Sequence, residues 1–556
     1  MHDRFVTHDV FNQVPPLKEV NLFTADRALI EAVAREGGEG AAQNLESFGA
    51  VCGSAAAFEH GRLANEFAPQ LKRFDSNGRP LDRVEFHPAY HALMEISTRQ
   101  GLHCSAWDHL AIPAARPEVG ANVARSAGTY MAIQMEAGHQ CPITMTNASV
   151  PTLLLEPALA KTWIPKILMR AYDPSFRPVA MKHGATIGMG MTEKQGGTDV
   201  RANTTIATPT GRAGPGEQYL ITGHKWFMSA PMCDAFLVLA QAPGGLSCFL
   251  LPRSLPDGTI NTLRFQRLKD KLGNRSNASS EVEFHAAHAW LIGEEGRGVA
   301  AIIEMVTCTR LDCAVGSAGL MRLALANAVH HCRHRKVFQK TLIDQPMMTQ
   351  VLADLALDSV AATALSFRLA RSFDQAPDAA ATAWRRLMTP LTKYWVCKIG
   401  PAFAYEAMEC LGGNGYVEEG IAARIYRELP VNAIWEGSGN VMALDLLRVI
   451  EREPKTIEIV LAELEAGLVG DALLKAQFAR VQTMLHEREF LGHRGRDLAE
   501  ALALLSAGTI LRAAAPDAVA DAYLATRLGT THRQTYGQGL SRADTRAIVE
   551  WSCPNH

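Results

Sequence analysis

Met191-Thr-Glu-Lys-Gln-Gly-Gly-Thr-Asp-Val200 stands where the hydrophobic rhythm of this 556-residue chain changes. Before it, stretches such as Ala89–Gln100 and Val119–Ala137 repeat apolar residues every three or four positions, which predicts helices from about residue 30 to about 180. The first 30 residues read as an extended arm with Pro15-Pro16 as its breaker. After it, Gln218–Ile221, Ala235–Ala240, Ser247–Leu251, Glu281–Phe284 and Trp290–Ile292 are short β-rich runs between Gly, Pro and Asp turns. Helical periodicity returns near Ala300 and runs to about Glu453, interrupted by the glycine loop Gly412–Gly415. Beyond Pro454, an alanine- and leucine-rich segment predicts further helices to about Leu528, with a loose tail at Gly529–Gly539. Helices, a compact β-section and helices again make an α+β chain, mostly α, rather than a series of βαβ units. The expected domains are residues 1–185, 186–292, 293–452 and 453–556.

A formal net charge of −2 excludes a chain built as a whole to coat nucleic acid or an anionic membrane. Any such binding must come from a local patch. Eleven cysteines are scattered without a CxxC pair, as buried thiols in a reducing compartment would be. The start, Met1-His-Asp-Arg-Phe5, lacks a charged segment followed by an apolar run, and no apolar stretch approaches the ~18–20 residues that span a bilayer. The cytoplasm is the expected location. The nineteen histidines show no ligand-like spacing apart from His331 and His334, so no metal is expected.

Five segments carry chemistry. In Met191–Val200, two glycines flanked by Thr192 and Thr198 let backbone N–H groups and hydroxyls approach a polar ring edge; by itself such a turn is more often only a β-turn. In Gly223-His-Lys-Trp-Phe-Met-Ser229, Trp226 has the shape to stack on a flat ring while Ser229 hydrogen-bonds its rim, although a tryptophan in a β-section is more often core. In Ile434-Trp-Glu-Gly-Ser-Gly-Asn440, Glu436 has apolar residues before it and glycines after it; a dry pocket would raise its pKa towards that of a useful base. The competing reading is a carboxylate at a helix N-terminus. Glu409-Cys-Leu-Gly-Gly-Asn-Gly-Tyr416 suits a pyrophosphate, but its spacing is not a Rossmann fingerprint. Arg335, in Arg335-Lys-Val-Phe-Gln-Lys340, is either a phosphate partner or a solvated helix end.

The order and spacing of these segments, with Lys271-Leu-Gly-Asn-Arg275 between them, resemble the acyl-CoA dehydrogenases. The resemblance implies an N-terminal helical domain, a central β-barrel domain and a C-terminal four-helix bundle, here with an extra helical domain, and it implies FAD. It assigns Met191, Thr192, Gly197, Thr198, Trp226, Phe227, Met228 and Ser229 to the isoalloxazine side. Arg335, Phe338, Gln345, Gly412 and Gly413 would serve the diphosphate and adenine, often across a subunit interface in a homotetramer. Ile434, Trp435, Gly437, Ser438 and Asn440 would border the flavin, with Glu436 as the base that removes the α-proton of an acyl thioester.

The phrases Cys141–Thr146, Leu268–Ser279 and Pro430–Asn440, and the extra domain after about residue 450, resemble more closely the branch of that family in the bacterial adaptive response to DNA alkylation. That likeness implies double-stranded DNA as a partner, protection of DNA or destruction of alkylating agents, and weak dehydrogenase activity. The alternative is a genuine dehydrogenase of short or branched acyl-CoA. From Glu451 to His556 there are 12 Lys+Arg against 14 Asp+Glu, so this domain is not a basic arm. Its arginines cluster locally as Arg488, Arg494 and Arg496, then Arg527, Arg533, Arg542 and Arg546. Arg448, Arg527, Arg533 and Arg542 are the candidates for DNA or another anionic ligand, against the commoner reading of solvated charges.

Overall fold

The computed structural model describes residues 7–374, 378–468, 470–487, 489, 491–529, 535–540 and 543–554. Its first part holds helices α1 (Arg27–Arg35), α2 (Ala42–Cys52) and α3 (Ala55–Glu66), the hairpin β1 (Gln70–Phe74) and β2 (Pro80–Glu85), then α4 (Pro88–Gln100), α5 (Ala121–Met135), α6 (Gln140–Leu153) and α7 (Pro157–Ile167). The hairpin corrects the expectation of helix throughout this region. Asp75 turns it, accepting from the backbone N–H groups of Asn77 and Arg79.

The β-section contains β3 (Ile187–Gly190), β4 (Ile206–Pro209), β5 (Gln218–Ser229), β6 (Ala235–Ala242), β7 (Gly245–Pro252), β8 (Leu263–Leu268) and β9 (Ser279–Ile292). Pairing runs β6–β4–β5–β9–β7, and β7 pairs back onto β6, so five strands close a ring. β3 joins at β6 and β8 at β9. β6 and β7 are almost continuously apolar because both of their faces are buried, with Phe236 and Leu251 on one and Leu237 and Leu250 on the other.

The second helical layer comprises α8 (Gly298–His334), a small hairpin of β10 (Lys336–Val337) and β11 (Lys340–Thr341), α9 (Pro346–Asp374), α10 (Ala379–Glu409), the single turn α11 (Gly413–Tyr416), α12 (Ile421–Asn432) and α13 (Gly439–Arg452). The added segment folds as α14 (Pro454–Ala466), α15 (Ala472–His486), α16 (Leu491–Ala514), α17 (Asp517–Arg527) and α18 (Thr545–Ser552), and α16 packs on α9, α10 and α13. Contrary to the sequence expectation, α9 is long and apolar enough to cross a membrane, but 89% of its apolar window is buried inside the protein. It is the central core helix, and an all-round apolar surface suits that position equally well.

Buried ion pairs fix how the layers meet. Arg125 of α5 forms a bidentate pair with Asp312 of α8, both bonds at 2.7 Å, and Thr144 of α6 donates to the same carboxylate at 2.8 Å. These bonds set α5 and α6 against α8 at the level of Thr309 and Arg310, where the candidate site lies.

Candidate active site

Glu436 occupies the loop between α12 and α13. Its φ is +57°, in the left-handed region that a side chain rarely adopts, and Gly437 follows at +108°. A side chain at 437 would be strained by that backbone angle, so glycine is favoured there. The Glu436 carboxylate does not cap α13; it turns to α8, where the Thr309 hydroxyl donates to Oε2 at 2.8 Å. Arg310 Nε donates to the Glu436 carbonyl at 3.0 Å, and Lys393 Nζ of α10 donates to the carbonyls of Trp435, at 2.9 Å, and Gly437. Arg310 is itself held by Asp445 at 2.8 Å. Burial raises the Glu436 carboxyl above the usual range, while the Thr309 hydrogen bond and the charges of Arg310 and Lys393 pull it down.

Sequence reasoning missed Thr309, Arg310 and Lys393. The available signal was burial of polar groups: Thr309-Arg310 interrupts an apolar helix, and Lys393 sits in the apolar run Pro390-Leu-Thr-Lys-Tyr-Trp-Val-Cys397.

The two β-section motifs come together. The Trp226 N–H donates to the Thr192 carbonyl at 2.8 Å. Beneath this contact, Glu193 and Lys225, both fully buried, pair at 2.7 Å. The Lys225 ammonium and the N–H groups of Thr204 and Thr205 hold the Glu193 carboxyl down to about 2 despite burial. Glycine is needed at 197 because a Cβ there would lie 2.3 Å from Thr192 Oγ1.

Within β5 the residues divide differently from expectation. Trp226 carries the Lys269 ammonium 3.2 Å from its ring centroid, with Arg267 and Lys194 nearby, so one face is already occupied by cations. Phe227, 48% exposed, presents the open aromatic surface. Met228 is fully buried in the barrel core and offers a ligand no surface, which corrects its assignment to the flavin. Ser229 stays partly exposed, 3.2 Å from Ser279, and Lys271 donates to Ser279 at 3.2 Å. Burial pushes the Cys141 thiol of α6 up to about 12, and Ser229, Asn277 and Glu436 all act on it, so the end of β5 and the base lie towards the same part of α6.

The Lys271–Arg275 motif is anchored from below: both Glu428 oxygens accept from the Asn274 N–H at 2.9 Å. A Cβ at Gly273 would fall 2.0 Å from the Arg427 carbonyl, hence the glycine.

Arg335, Phe338 and Gln345 lie at the far end of α8. From Thr309 to Arg335 is 26 residues of helix, roughly 39 Å. Arg335 donates to the Asn12 carbonyl, Gln345 to the Val337 carbonyl at 3.2 Å, and Phe338 is 91% exposed. Gly412 and Gly413 are exposed, with open space where a Cβ would stand. Ile434 and Ser438 are also exposed, and Asn440 accepts from Arg496 of α16 at 2.8 Å. One chain therefore does not bring the Arg335 group to its own Glu436.

Of the anionic-ligand candidates, Arg448 is exposed, 3.9 Å from Asp445. Arg527 is buried between Asp354 and Asp358, at 2.6 and 2.9 Å, which removes it as a phosphate contact. Arg488, Arg533 and Arg542 lie outside the described residues.

Three family models match in sequence: the adaptive response protein AidB N-terminal domain over residues 12–174, the acyl-CoA dehydrogenase middle domain over 188–287 and the acyl-CoA dehydrogenase C-terminal domain over 296–451. The putative acyl-CoA dehydrogenase AidB of Escherichia coli K12 is 47% identical over 526 residues, 94% of this chain and 95% of that one. The chain belongs to the acyl-CoA dehydrogenase family, and within it to the AidB branch. Acyl-CoA dehydrogenase family member 11 of Caenorhabditis elegans is 32% identical, covering 70% of this chain and 64% of its own. Among solved structures, Bd2924 in its apo form superposes with a TM-score of 0.82 at 27% identity, covering 90% of this chain and 99% of that one. The C. elegans protein ACDH-11 in complex with C11-CoA gives 0.81 at 24% identity, covering 100% and 95%.

The family is FAD-dependent, and the cleft fits a flavin. The Trp435 indole N–H, next to the base, is a buried donor without an acceptor among the described residues, while Phe227 and the Ser229 hydroxyl supply an aromatic face and a polar rim.

Proposed function

We propose that this protein is a FAD-carrying flavoprotein in which Glu436 removes the α-proton of an acyl thioester, with weak turnover, and which binds double-stranded DNA in the adaptive response to alkylation damage, shielding the DNA or destroying alkylating agents. The observation that carries the redox half is the buried Glu436 carboxylate bound by the Thr309 hydroxyl at 2.8 Å. When bound, FAD supplies the hydride acceptor. The chain's own part is to hold Glu436 ionisable, to aim it with Thr309, and to narrow the acyl channel with Trp435. The DNA half rests on membership of the AidB branch and on the exposed guanidinium of Arg448 on α13.

A homotetramer is part of this proposal. The 39 Å between Thr309 and Arg335 is too long for one dinucleotide, so the Arg335 group would serve a flavin based in another subunit. The exposed apolar side chains there, Val10, Phe11, Phe338 and Met347, suit burial against a second copy. The cytoplasm is the proposed compartment, consistent with eleven free thiols, ten of them buried.

A second reading, a working dehydrogenase of short or branched acyl-CoA, is favoured by one feature. The Glu436 carboxylate is held by the Thr309 hydroxyl and flanked by Arg310 and Lys393, an arrangement that a protein acting only as a binding module would not need. Visible spectra and titration with duplex DNA at two salt concentrations separate the two. Flavin bands with salt-sensitive DNA binding support the first; flavin bands without DNA binding, and rapid bleaching by acyl-CoA, support the second. A colourless protein that cannot take up FAD refutes both.

A further inference from the structure

Lys393 lies mid-helix in α10 and is 1% exposed. Among the described residues no carboxylate forms an ion pair with it; its ammonium is satisfied by the carbonyls of Trp435 and Gly437. Arg310 takes the carbonyl between them. Three consecutive carbonyls therefore meet two cationic side chains from two different helices. This is an unusual use of a buried charge, because an ammonium left without a carboxylate is costly to desolvate. An uncharged donor would serve if only hydrogen bonds were needed. The carbonyls converge because residues 436 and 437 both have positive φ, a conformation that a glutamate adopts only when its surroundings impose it.

We propose that Lys393 is a positioning residue for the candidate base: with Arg310 it grips the carbonyls of residues 435, 436 and 437, holds Glu436 left-handed, and thereby aims its carboxylate at Thr309. The proposal deepens the reading of Glu436 as base and rests on it. The charge has a second effect, since a fixed cation beside a carboxylate favours its ionised form and opposes the raising effect of burial. The groups facing Glu436 are Thr309, Arg310 and Cys313 of α8, Lys393 of α10 and Cys141 of α6, with Asp445 of α13 behind Arg310. Burial pushes both thiols up, Cys141 to about 12, so the two guanidinium and ammonium groups are the charges that act on the base near neutral pH.

The test reads protonation rather than turnover. The Glu436 carboxyl stretch is followed by pH-difference infrared spectroscopy on the full-length flavoprotein, with Glu436→Gln subtracted, in wild type, Lys393→Gln, Lys393→Met and Lys393→Arg. The expected result is that Lys393→Gln and Lys393→Met raise the proton affinity of Glu436 about tenfold or more, one pH unit in the midpoint. Lys393→Arg, which keeps the charge and the donors, restores it to within a factor of about two. If Lys393→Met does not fold, Lys393→Gln and Lys393→Arg still decide. An unchanged midpoint in folded Lys393→Gln, or a lowered melting temperature with no midpoint shift, overturns the proposal and leaves Lys393 a packing residue. The identity of the base is tested separately by the loss of flavin reduction in Glu436→Gln, so the two failures are distinguishable.

Discussion

The Thr309 hydroxyl donates to Glu436 Oε2 at 2.8 Å, joining a loop that follows α12 to the middle of α8, 127 residues earlier in the chain. The bond stabilises the ionised carboxylate against the burial that would protonate it. Thr309→Val keeps the shape and removes the donor. A hydrogen bond to a charged group contributes about 1.5–3 kcal/mol, so the proton affinity of Glu436 should rise by roughly tenfold or more. Because the base must be ionised to act, the acid limb of the pH profile for flavin reduction moves to higher pH, and the plateau rate above it changes little. An unmoved limb would show that Thr309 does not act on the base.

Glu436→Gln should lower the rate of flavin reduction by acyl thioester by about 10²–10⁴-fold, the usual contribution of a general base. The substitution replaces a carboxylate disfavoured by burial with a neutral isostere, so thermal stability should hold or rise. Anaerobic stopped-flow absorbance and a melting curve check both parts.

Glu428 gives a pH dependence of stability. Burial, with the negative charge of Glu136 added, raises its carboxyl to about 7, although the Asn274 N–H and the charges of Arg424 and Lys271 oppose this. The folded state therefore keeps a proton that the unfolded chain has released between pH 4.5 and 7. Stability is lost as pH rises through that window, by up to about 3 kcal/mol. Glu428→Gln should remove the loss, stabilising the protein at pH 8 and hardly at all at pH 4.5. Equal effects at the two pH values in denaturant titrations would contradict this.

Arg527→Met should destabilise the added domain by about 3–5 kcal/mol, because Asp354 and Asp358 of α9 lose the guanidinium buried between them. In protein that remains folded at low temperature, DNA affinity should be unchanged. A weaker salt dependence of DNA binding in that folded variant would return Arg527 to the phosphate-contacting set.

Arg448→Ala should weaken duplex DNA binding uniformly across sequences and reduce the log–log salt slope by about 1, the signature of one lost phosphate contact. Fluorescence anisotropy with a labelled duplex at several salt concentrations measures it. An unchanged slope would place the DNA surface elsewhere.

Much of the architecture was legible from periodicity. The change at Met191–Val200 marks the entry to the closed ring of strands, and the return of helical spacing near Ala300 marks α8. The hairpin β1–β2 escaped because Gln70–Phe74 is polar and largely exposed, and because an inward position of Pro80–Glu85 holds the buried Asp82 in place of an apolar residue. Glu436 was legible because glycines follow it and an apolar run precedes it. Trp226 and Met228 were less so: β5 is bulged between Lys225 and Met228, and a bulge breaks the strict alternation that would have shown which side chain faces out.

The sequence alone determined the class of each layer and the family, and it singled out Glu436 as the candidate base, since these depend on local spacing and on motifs a few residues long. It could not show that Thr309, Arg310 and Lys393 meet at residues 435–437, or that Arg527 is committed to Asp354 and Asp358. Those groups are separated by 42 to 173 residues, and only packing of the helices brings them together. The same packing decides whether a polar side chain is desolvated, and desolvation is what turns an ordinary carboxylate into a base and an ordinary arginine into a structural ion pair.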